Sequence, residues 1–267
     1  MNAIDIVKEQ AAAYDAGKSY AVVTIVHSDG STPRSSGKMI VYADGTTRGT
    51  IGGGAVEFIA IKDAIKCIEN GANAYKEYDL TSPSSNTGMT CGGDMSVLIE
   101  AFIAKPLLVM IGAGHVGAAV MHIAEFIGYD TLLIDDRADE QIADKIAAAG
   151  RFVRVKDFEA EIKAMDIPDG AYYVIATHGH AHDGAALAGT LSKNAAYIGM
   201  IGSSKKIAAL FAKLTAQGAS EEQLSTVYTP IGLDMGGETP EIAVSIMAQI
   251  QQVRYGAPGG HLKGKDK

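Results

Sequence analysis

Only two cysteines, Cys67 and Cys91, occur in 267 residues. So few cannot build a disulfide framework; they fit a reducing compartment and exclude a cysteine-stapled secreted scaffold. Basic residues are also in deficit, with 23 Lys and Arg against 31 Asp and Glu and a formal net charge of −8. Without a basic stripe to offset that balance, nucleic-acid binding is not expected. No apolar run approaches the roughly 20 residues of a membrane helix. Met1-Asn2-Ala3-Ile4-Asp5 lacks the basic, apolar and small-residue sections of a signal peptide, so the expected location is the cytoplasm. What is present, 47% hydrophobic and 20% charged residues, supports a sizeable core in one large domain or two ordinary ones.

The pattern of elements changes at Lys105-Pro106. Before it, a helix from Ile4 to Gly17 precedes β-type runs at Ala21–Val26, Lys38–Tyr42 and up to Ile51. A helix opens at Gly52-Gly53-Gly54 and stops at Asn70-Gly71; a polar loop, Thr81–Thr90, and a strand at Met95–Phe102 follow. After the break, strands at Leu107–Ile111, Thr131–Ile134, Phe152–Val155, Tyr172–Ala176 and Ala196–Gly199 alternate with helices near 115–127, 138–149, 183–192, 203–217 and 240–254. The last helix is expected to start with Thr239 as N-cap and Pro240 at its first position. This alternation predicts an α/β chain: a Rossmann-like doubly wound parallel sheet over 105–256, a smaller N-terminal α+β domain over 1–104, and a disordered tail, 257–267.

Gly112-Ala113-Gly114-His115-Val116-Gly117 joins an apolar strand to an apolar-periodic helix. In that context Gly112 permits the tight turn, Gly114 the approach of a pyrophosphate, and Gly117 close helix–strand contact. Asp135 and Asp136 end the next strand, at the distance of a carboxylate that binds a ribose hydroxyl, and favour NAD or another unphosphorylated ribose over NADP. The competing reading keeps the glycines for packing alone. The stretch Thr177-His178-Gly179-His180-Ala181-His182-Asp183 follows another strand and should face the glycine loop. His178, His180, His182 and Asp183 are candidate metal ligands, but no further ligand set with diagnostic spacing accompanies them. Contact with a phosphorylated ligand, joined by His115, is the preferred role for the loop. The bland alternative makes Asp183 a helix cap and leaves histidines exposed.

In the first half, Arg34 and Lys38 flank Gly37, and Arg48 leads into the glycine triplet. Arginine and lysine suit anion recognition, and Gly52, Gly53 and Gly54 before a helix form a second candidate nest for an anion. Glu57 falls in that helix's first turn, where a carboxylate favours the positive end. Cys91, in Cys91-Gly92-Gly93, should be reachable and is the candidate for thiol chemistry, with a purely structural thiol as the equal alternative, whereas Cys67 lies on an apolar helix stripe and reads as core.

These motifs together resemble the XdhC/CoxI family, accessory proteins of xanthine dehydrogenase and related molybdenum hydroxylases. The resemblance runs from about Ala21 to Arg254. It rests on Gly30-Ser31-Thr32-Pro33-Arg34, Gly37-Lys38-Met39, Gly49-Thr50-Ile51-Gly52-Gly53-Gly54 with Glu57, Cys91-Gly92-Gly93, Gly112 to Gly117, and Asp135-Asp136-Arg137. Thr177-His178 with His180 and Asp183, Ile198 to Ser203, Pro230 to Asp234, and Glu238 to Ala243 complete it. Ser204, Lys205 and Lys206 stand where members of the family often carry arginines, and His182 lies outside the pattern. The resemblance implies a carrier more than a turnover enzyme. Such a protein binds molybdenum cofactor (molybdopterin or its dinucleotide form), supports its sulfuration with a cysteine desulfurase, and delivers it to a xanthine dehydrogenase-type hydroxylase. A homodimer is plausible for the family. On this reading Arg34, Lys38 and the glycine triplet supply charge and backbone donors, and Cys91 meets sulfur or metal. An NAD-dependent oxidoreductase and a nucleotide-sensing regulatory protein are the alternatives.

Overall fold

The computed structural model describes residues 3–30, 34–80, 93–178 and 182–263. It divides into two compact units, Met1–Ala104 and Lys105–Lys267.

The first unit is a five-stranded antiparallel sheet between two helices. Its strands are β1 (Tyr20–Gly30), β2 (Lys38–Tyr42), β3 (Thr47–Thr50), β4 (Ala74–Asp79) and β5 (Gly93–Phe102), in the order β3-β2-β1-β5-β4. Alternation of side chains along β1 divides the two cores. Ala21, Val23 and Ile25 pack with Val56, Ala60, Ala64 and Ile68 of α2 (Gly54–Asn70), while Tyr20 and Val22 pack with Ile6 and Ala13 of α1 (Ala3–Asp15). Each full burial of a Val or Ile contributes about 1.5–3 kcal/mol, so both faces are needed to hold the sheet. Cys67 is core, and burial pushes its thiol pKa up. β1 runs past the predicted end at Val26 to Gly30, because β5 pairs with it as far as Gly93 through an irregularity between Ile25 and His27. β4 was not legible. It is a charged edge strand, and its alternating exposure comes from Lys76 and Glu77 as much as from apolar residues.

The second unit is a wholly parallel six-stranded sheet. Its strands are β6 (Leu107–Ile111), β7 (Asp130–Asp135), β8 (Arg151–Arg154), β9 (Tyr172–Ile175), β10 (Tyr197–Met200) and β11 (Val227–Tyr228), in the order β11-β10-β9-β6-β7-β8. β6 and β9 are buried along their whole length, as central parallel strands covered on both faces must be. On one face lie α3 (His115–Phe126) and α9 (Thr239–Arg254), through Val120, Met121, Ile246 and Ile250. On the other lie α5 (Phe158–Ala164), α6 (Asp183–Thr190) and α7 (Ser204–Ala216), through Phe158, Ile162, Leu187 and Leu214. The chain winds one way from β6 to β8 and the other way from β9, so the order reverses between β6 and β9. In open α/β sheets ligands bind at such a point, beyond the strands' C-terminal ends.

Several expected boundaries move. The helix predicted over 138–149 breaks into a single 3-10 turn, Asp139–Gln141, and α4 (Ala143–Ala147), because Ile142 leaves helical backbone at φ −133° and is buried. α5 and α8 (Glu221–Ser225) are too short for periodicity to reveal, although caps at Asp157 and Ser220 mark them. Glu238, not Thr239, is the N-cap of α9, in a reciprocal arrangement with Glu241, and Pro240 takes the second helical position. Ala257 still donates to the Gln252 carbonyl at 2.9 Å. Among the described residues no helix is long and apolar enough to cross a membrane.

Candidate functional site

The turn after β6 is wedged between its neighbours. The Gly112 amide donates to the Ile134 carbonyl of β7 at 2.8 Å, and its φ of +113° is a conformation other residues avoid. A Cβ on Gly112 would sit 2.1 Å from the Ala176 carbonyl oxygen, and one on Gly117 would sit 2.3 Å from that of Gly112. A Cβ on Gly114 would meet nothing within 4 Å. The two outer glycines therefore answer to packing, and the middle one borders open space. Gly114 is also the N-cap of α3, with no side chain capping it, no acidic residue in the first turn, and the exposed His115 as first residue. The Ala118 amide is bonded to the Gly114 carbonyl, so the amides ahead of it have no helical partner and point positive charge outward.

Asp135 does not serve as the ribose carboxylate. It is 1% exposed, and Oδ2 accepts from the Ala113 amide at 2.6 Å and from Arg137 Nη2 at 2.9 Å. Oδ1 accepts from the Arg137 amide at 3.0 Å and from Arg137 Nε at 2.8 Å. Four donors use up the acceptor positions of a carboxylate, so no ribose hydroxyl can be added. Burial alone would raise the Asp135 pKa, yet the Arg137 fork and the two amides outweigh it and hold the carboxyl below its usual range. Arg137 is committed to Asp135 through Nε and Nη2.

Asp136 is the exposed member of the pair. Its Oδ2 lies 3.4 Å from Nε2 of His182, whose ring stacks on Phe158 at a 5.2 Å centroid distance. His182 thus links the end of β7 to the loop after β9, a role that its place outside the family motif concealed. Asp183 turns the opposite way. Buried, it accepts from the Thr177 amide at 3.0 Å and hydroxyl at 2.7 Å, which closes the loop over the end of β9. The two residues diverge, so the candidate metal ligands His182 and Asp183 do not converge. Among the described residues no three His, Cys, Asp or Glu side chains cluster to hold a metal ion. His178 is exposed beside Thr177, whose Cα lies against Gly112, so this loop does reach the glycine turn; His180 lies outside the described residues.

In the first unit, Gly52, Gly53 and Gly54 all have positive φ, but the nest they form is already filled. Oε2 of Glu57 accepts from the Ile51 amide at 3.0 Å, the Gly53 amide at 3.1 Å and the Thr50 hydroxyl. The expected open anion site is therefore closed by the chain's own carboxylate. Lys38 stands opposite Thr50 in the register of β2 and β3, and its Nζ donates to the Thr24 hydroxyl at 2.9 Å. Arg48 is drawn toward Glu9 of α1 at 3.5 Å. Arg34 is exposed ahead of β2, and Cys91 lies outside the described residues.

Comparison with known proteins fits this picture of the parallel unit. Residues 108–250, more than half of the chain, match the XdhC Rossmann domain, and residues 13–79 match the XdhC and CoxI family. The chain belongs to the XdhC family. One relative, YqeB of Escherichia coli (strain K12), itself uncharacterized, is 35% identical over 243 residues, covering 90% of this chain and 44% of YqeB. A probable xanthine dehydrogenase subunit of Bacillus subtilis (strain 168) is 28% identical over 160 residues, covering 60% of this chain and 46% of that protein. The chain thus spans less than half the length of these two. PaoD, a molybdenum cofactor insertion chaperone of Escherichia coli (strain K12), is 23% identical over 268 residues, covering 89% and 84% of the two chains. In this XdhC-type Rossmann domain Gly114 and the start of α3 follow β6, Asp136 follows β7, and His178 and His182 follow β9, so all stand at the C-terminal ends of the strands around the switch point. Free amides at a helix start attract a phosphate, and an exposed carboxylate can accept from a hydroxyl.

Proposed function

We propose that this XdhC-family protein is an accessory factor that binds molybdenum cofactor. It supports the cofactor's sulfuration together with a cysteine desulfurase, and delivers it to a molybdenum hydroxylase of the xanthine dehydrogenase type. Membership of the family supports the reading, as do relatives named as a cofactor insertion chaperone and a probable subunit of xanthine dehydrogenase. The observation that carries it is Gly114, the one position of the glycine turn where a Cβ would meet only open space. Molybdopterin bears a phosphate, and the Gly114 backbone with the first amides of α3 fits that group. Asp136 would accept from the ribose of a dinucleotide form, and His115 and His178 border the same space. Within the first unit, Arg34, Lys38 and Cys91 are proposed to supply charge and a thiol of their own, while Gly52, Gly53 and Gly54 hold Glu57 in place. When bound, the cofactor supplies the metal chemistry, while the chain's residues bind it, orient it and shield it. A cytoplasmic homodimer is part of the same proposal.

The glycine turn would equally accept NAD, which keeps an NAD-dependent oxidoreductase as the second reading. Purification from cofactor-replete cells, followed by oxidation and pterin fluorescence, separates the two. The expected result is stoichiometric pterin in the parent and none in Gly114→Val at unchanged yield of folded protein. Bound NAD with no pterin would exclude the chaperone reading.

A further inference from the structure

A second concavity opens beyond β10, in the other half of the parallel sheet. It is a cleft of about 470 Å³, bounded by Ile201 to Ser203 after β10, Lys206 in the first turn of α7, and the loop from Pro230 to Gly237 before α9. That volume is within the range of small-molecule sites. β10 stands two strands from β6, roughly 10 Å along the sheet, so the cleft is separate from the Gly114 turn.

The cleft is built rather than collapsed. Gln249 accepts from the Tyr197 hydroxyl at 2.6 Å and the Gly232 amide at 2.9 Å, and its amide donates back to the Gly232 carbonyl at 3.3 Å. The Ser245 hydroxyl donates to the Leu233 carbonyl at 2.6 Å, and the Ile231 amide to the Met200 carbonyl at 3.2 Å. These bonds fix the loop that forms one wall.

The remaining wall carries uncompensated polarity. α7 begins Ser204-Lys205-Lys206, with no acidic residue in its first turn and no side-chain bond from the N-cap Ser203. Two lysines therefore sit at the helix end that favours negative charge. The start of α9 differs, because Glu238 and Glu241 fill it. Among the described residues, the side chains of Lys206 and Asp234 make no hydrogen bond or ion pair, yet both residues line the cleft beside Ile201, Leu233 and Met235. A cation, a hydroxyl and a carboxylate thus converge on one aliphatic-walled space, and Met235 is 58% exposed at its rim.

We propose that this cleft is a site for a small amphipathic anion, a phosphate monoester or carboxylate carried on an apolar or planar body. Lys206, the Ser203 hydroxyl and the first amides of α7 hold the anionic group. Ile201, Leu233 and Met235 cover the body, and Asp234 accepts from a donor on its edge. The site stands whether or not the chain carries a pterin.

Titration of the ¹⁵N-labelled full chain with phenyl phosphate and with inorganic phosphate tests this. Saturable shifts are expected at the amides of Gly202, Ser203 and Lys206, with phenyl phosphate binding at least fivefold tighter. Lys206→Glu should weaken phenyl phosphate at least tenfold, and Lys206→Met, which keeps the stem length without the charge, at least threefold. Gly114→Val should leave these shifts and affinities unchanged. Absence of saturation in the parent, or equal affinity in both Lys206 variants and the parent, would overturn the site. Equal affinity for the two phosphates would overturn the ligand class, and loss in Gly114→Val would overturn its independence from the glycine turn.

Discussion

The two glycine-rich turns of this chain look alike in sequence and differ in what occupies them. Gly52 to Gly54 leads from β3 into α2, and Gly112 to Gly117 leads from β6 into α3. In the first, Glu57 reaches back over one helical turn and accepts from the Ile51 and Gly53 amides, while the Thr50 hydroxyl accepts from that of Gly52. In the second, the carboxylate comes from the neighbouring strand and sits behind the loop, with Asp135 holding Ala113 while Gly114 stays uncovered. A carboxylate in front of a nest closes it; a carboxylate behind it holds it open. That difference decides which turn can receive an anion from outside.

The largest expected effect comes from removing the carboxylate behind the open turn. Asp135→Asn breaks a buried pair with Arg137 and should destabilise the parallel unit by about 3–5 kcal/mol. Because the folded-state pKa of Asp135 lies below its unfolded value, its contribution is fully present above about pH 4 and is lost as pH falls further. Denaturant midpoints of parent and variant should therefore converge as pH falls below about 4. A constant gap across that range would mean that packing, not charge, makes the difference.

Next come the glycines themselves. Gly112→Ala places a Cβ against the Ala176 carbonyl at positive φ and should cost about 2–5 kcal/mol, whereas Gly114→Ala should cost about 1 kcal/mol or less. Ligand binding should fall in both, but only Gly114→Ala should lose it in a protein of near-parental thermal stability. Similar stability losses at the two positions would erase the distinction between packing and access.

Glu57→Ala turns the comparison around. It strips an acceptor from two amides and the Thr50 hydroxyl, for a loss of about 2–4 kcal/mol. It also empties the nest, so phosphate at matched ionic strength should stabilise the variant more than the parent, the excess being the part that enters the nest. No excess would show that the triplet binds a carboxylate only when the chain itself supplies it.

How much of this was legible depended on whether the signal was local. The parallel sheet could be read because β6, β7 and β9 are continuous apolar runs set between helices of ordinary length. The packing roles of Gly112 and Gly117 followed from their spacing in a strand–turn–helix context. Other assignments depended on contacts between residues distant in sequence. Asp135 and Asp136 are adjacent and chemically equal, and only the approach of Ala113 across 22 positions separates the buried clamp from the exposed acceptor. His182 needed Phe158 and Asp136 beside it to have a role at all. Glu57 was the exception, since a first-turn carboxylate directly after a glycine triplet was a local cue that the nest is filled.

The smallest effect on stability, and the sharpest on specificity, belongs to the Asp136–His182 pair. Its side chains are 32% and 46% exposed, so the contact is worth about 1 kcal/mol at most, with the stack on Phe158 adding a comparable amount. Neither Asp136→Asn nor His182→Ala should therefore unfold the parallel unit. Their effects on a ribose-bearing ligand such as NAD should be opposite. Asp136→Asn removes the one carboxylate at the end of β7 with capacity to accept a hydroxyl, which should weaken binding severalfold. His182→Ala releases that carboxylate from its competitor, which should strengthen binding by a smaller factor. Calorimetric titration of both variants and of the double variant would measure this. If both single variants weaken binding equally and the double variant adds nothing, the pair binds the ligand as a unit, and the histidine is a contact rather than a competitor.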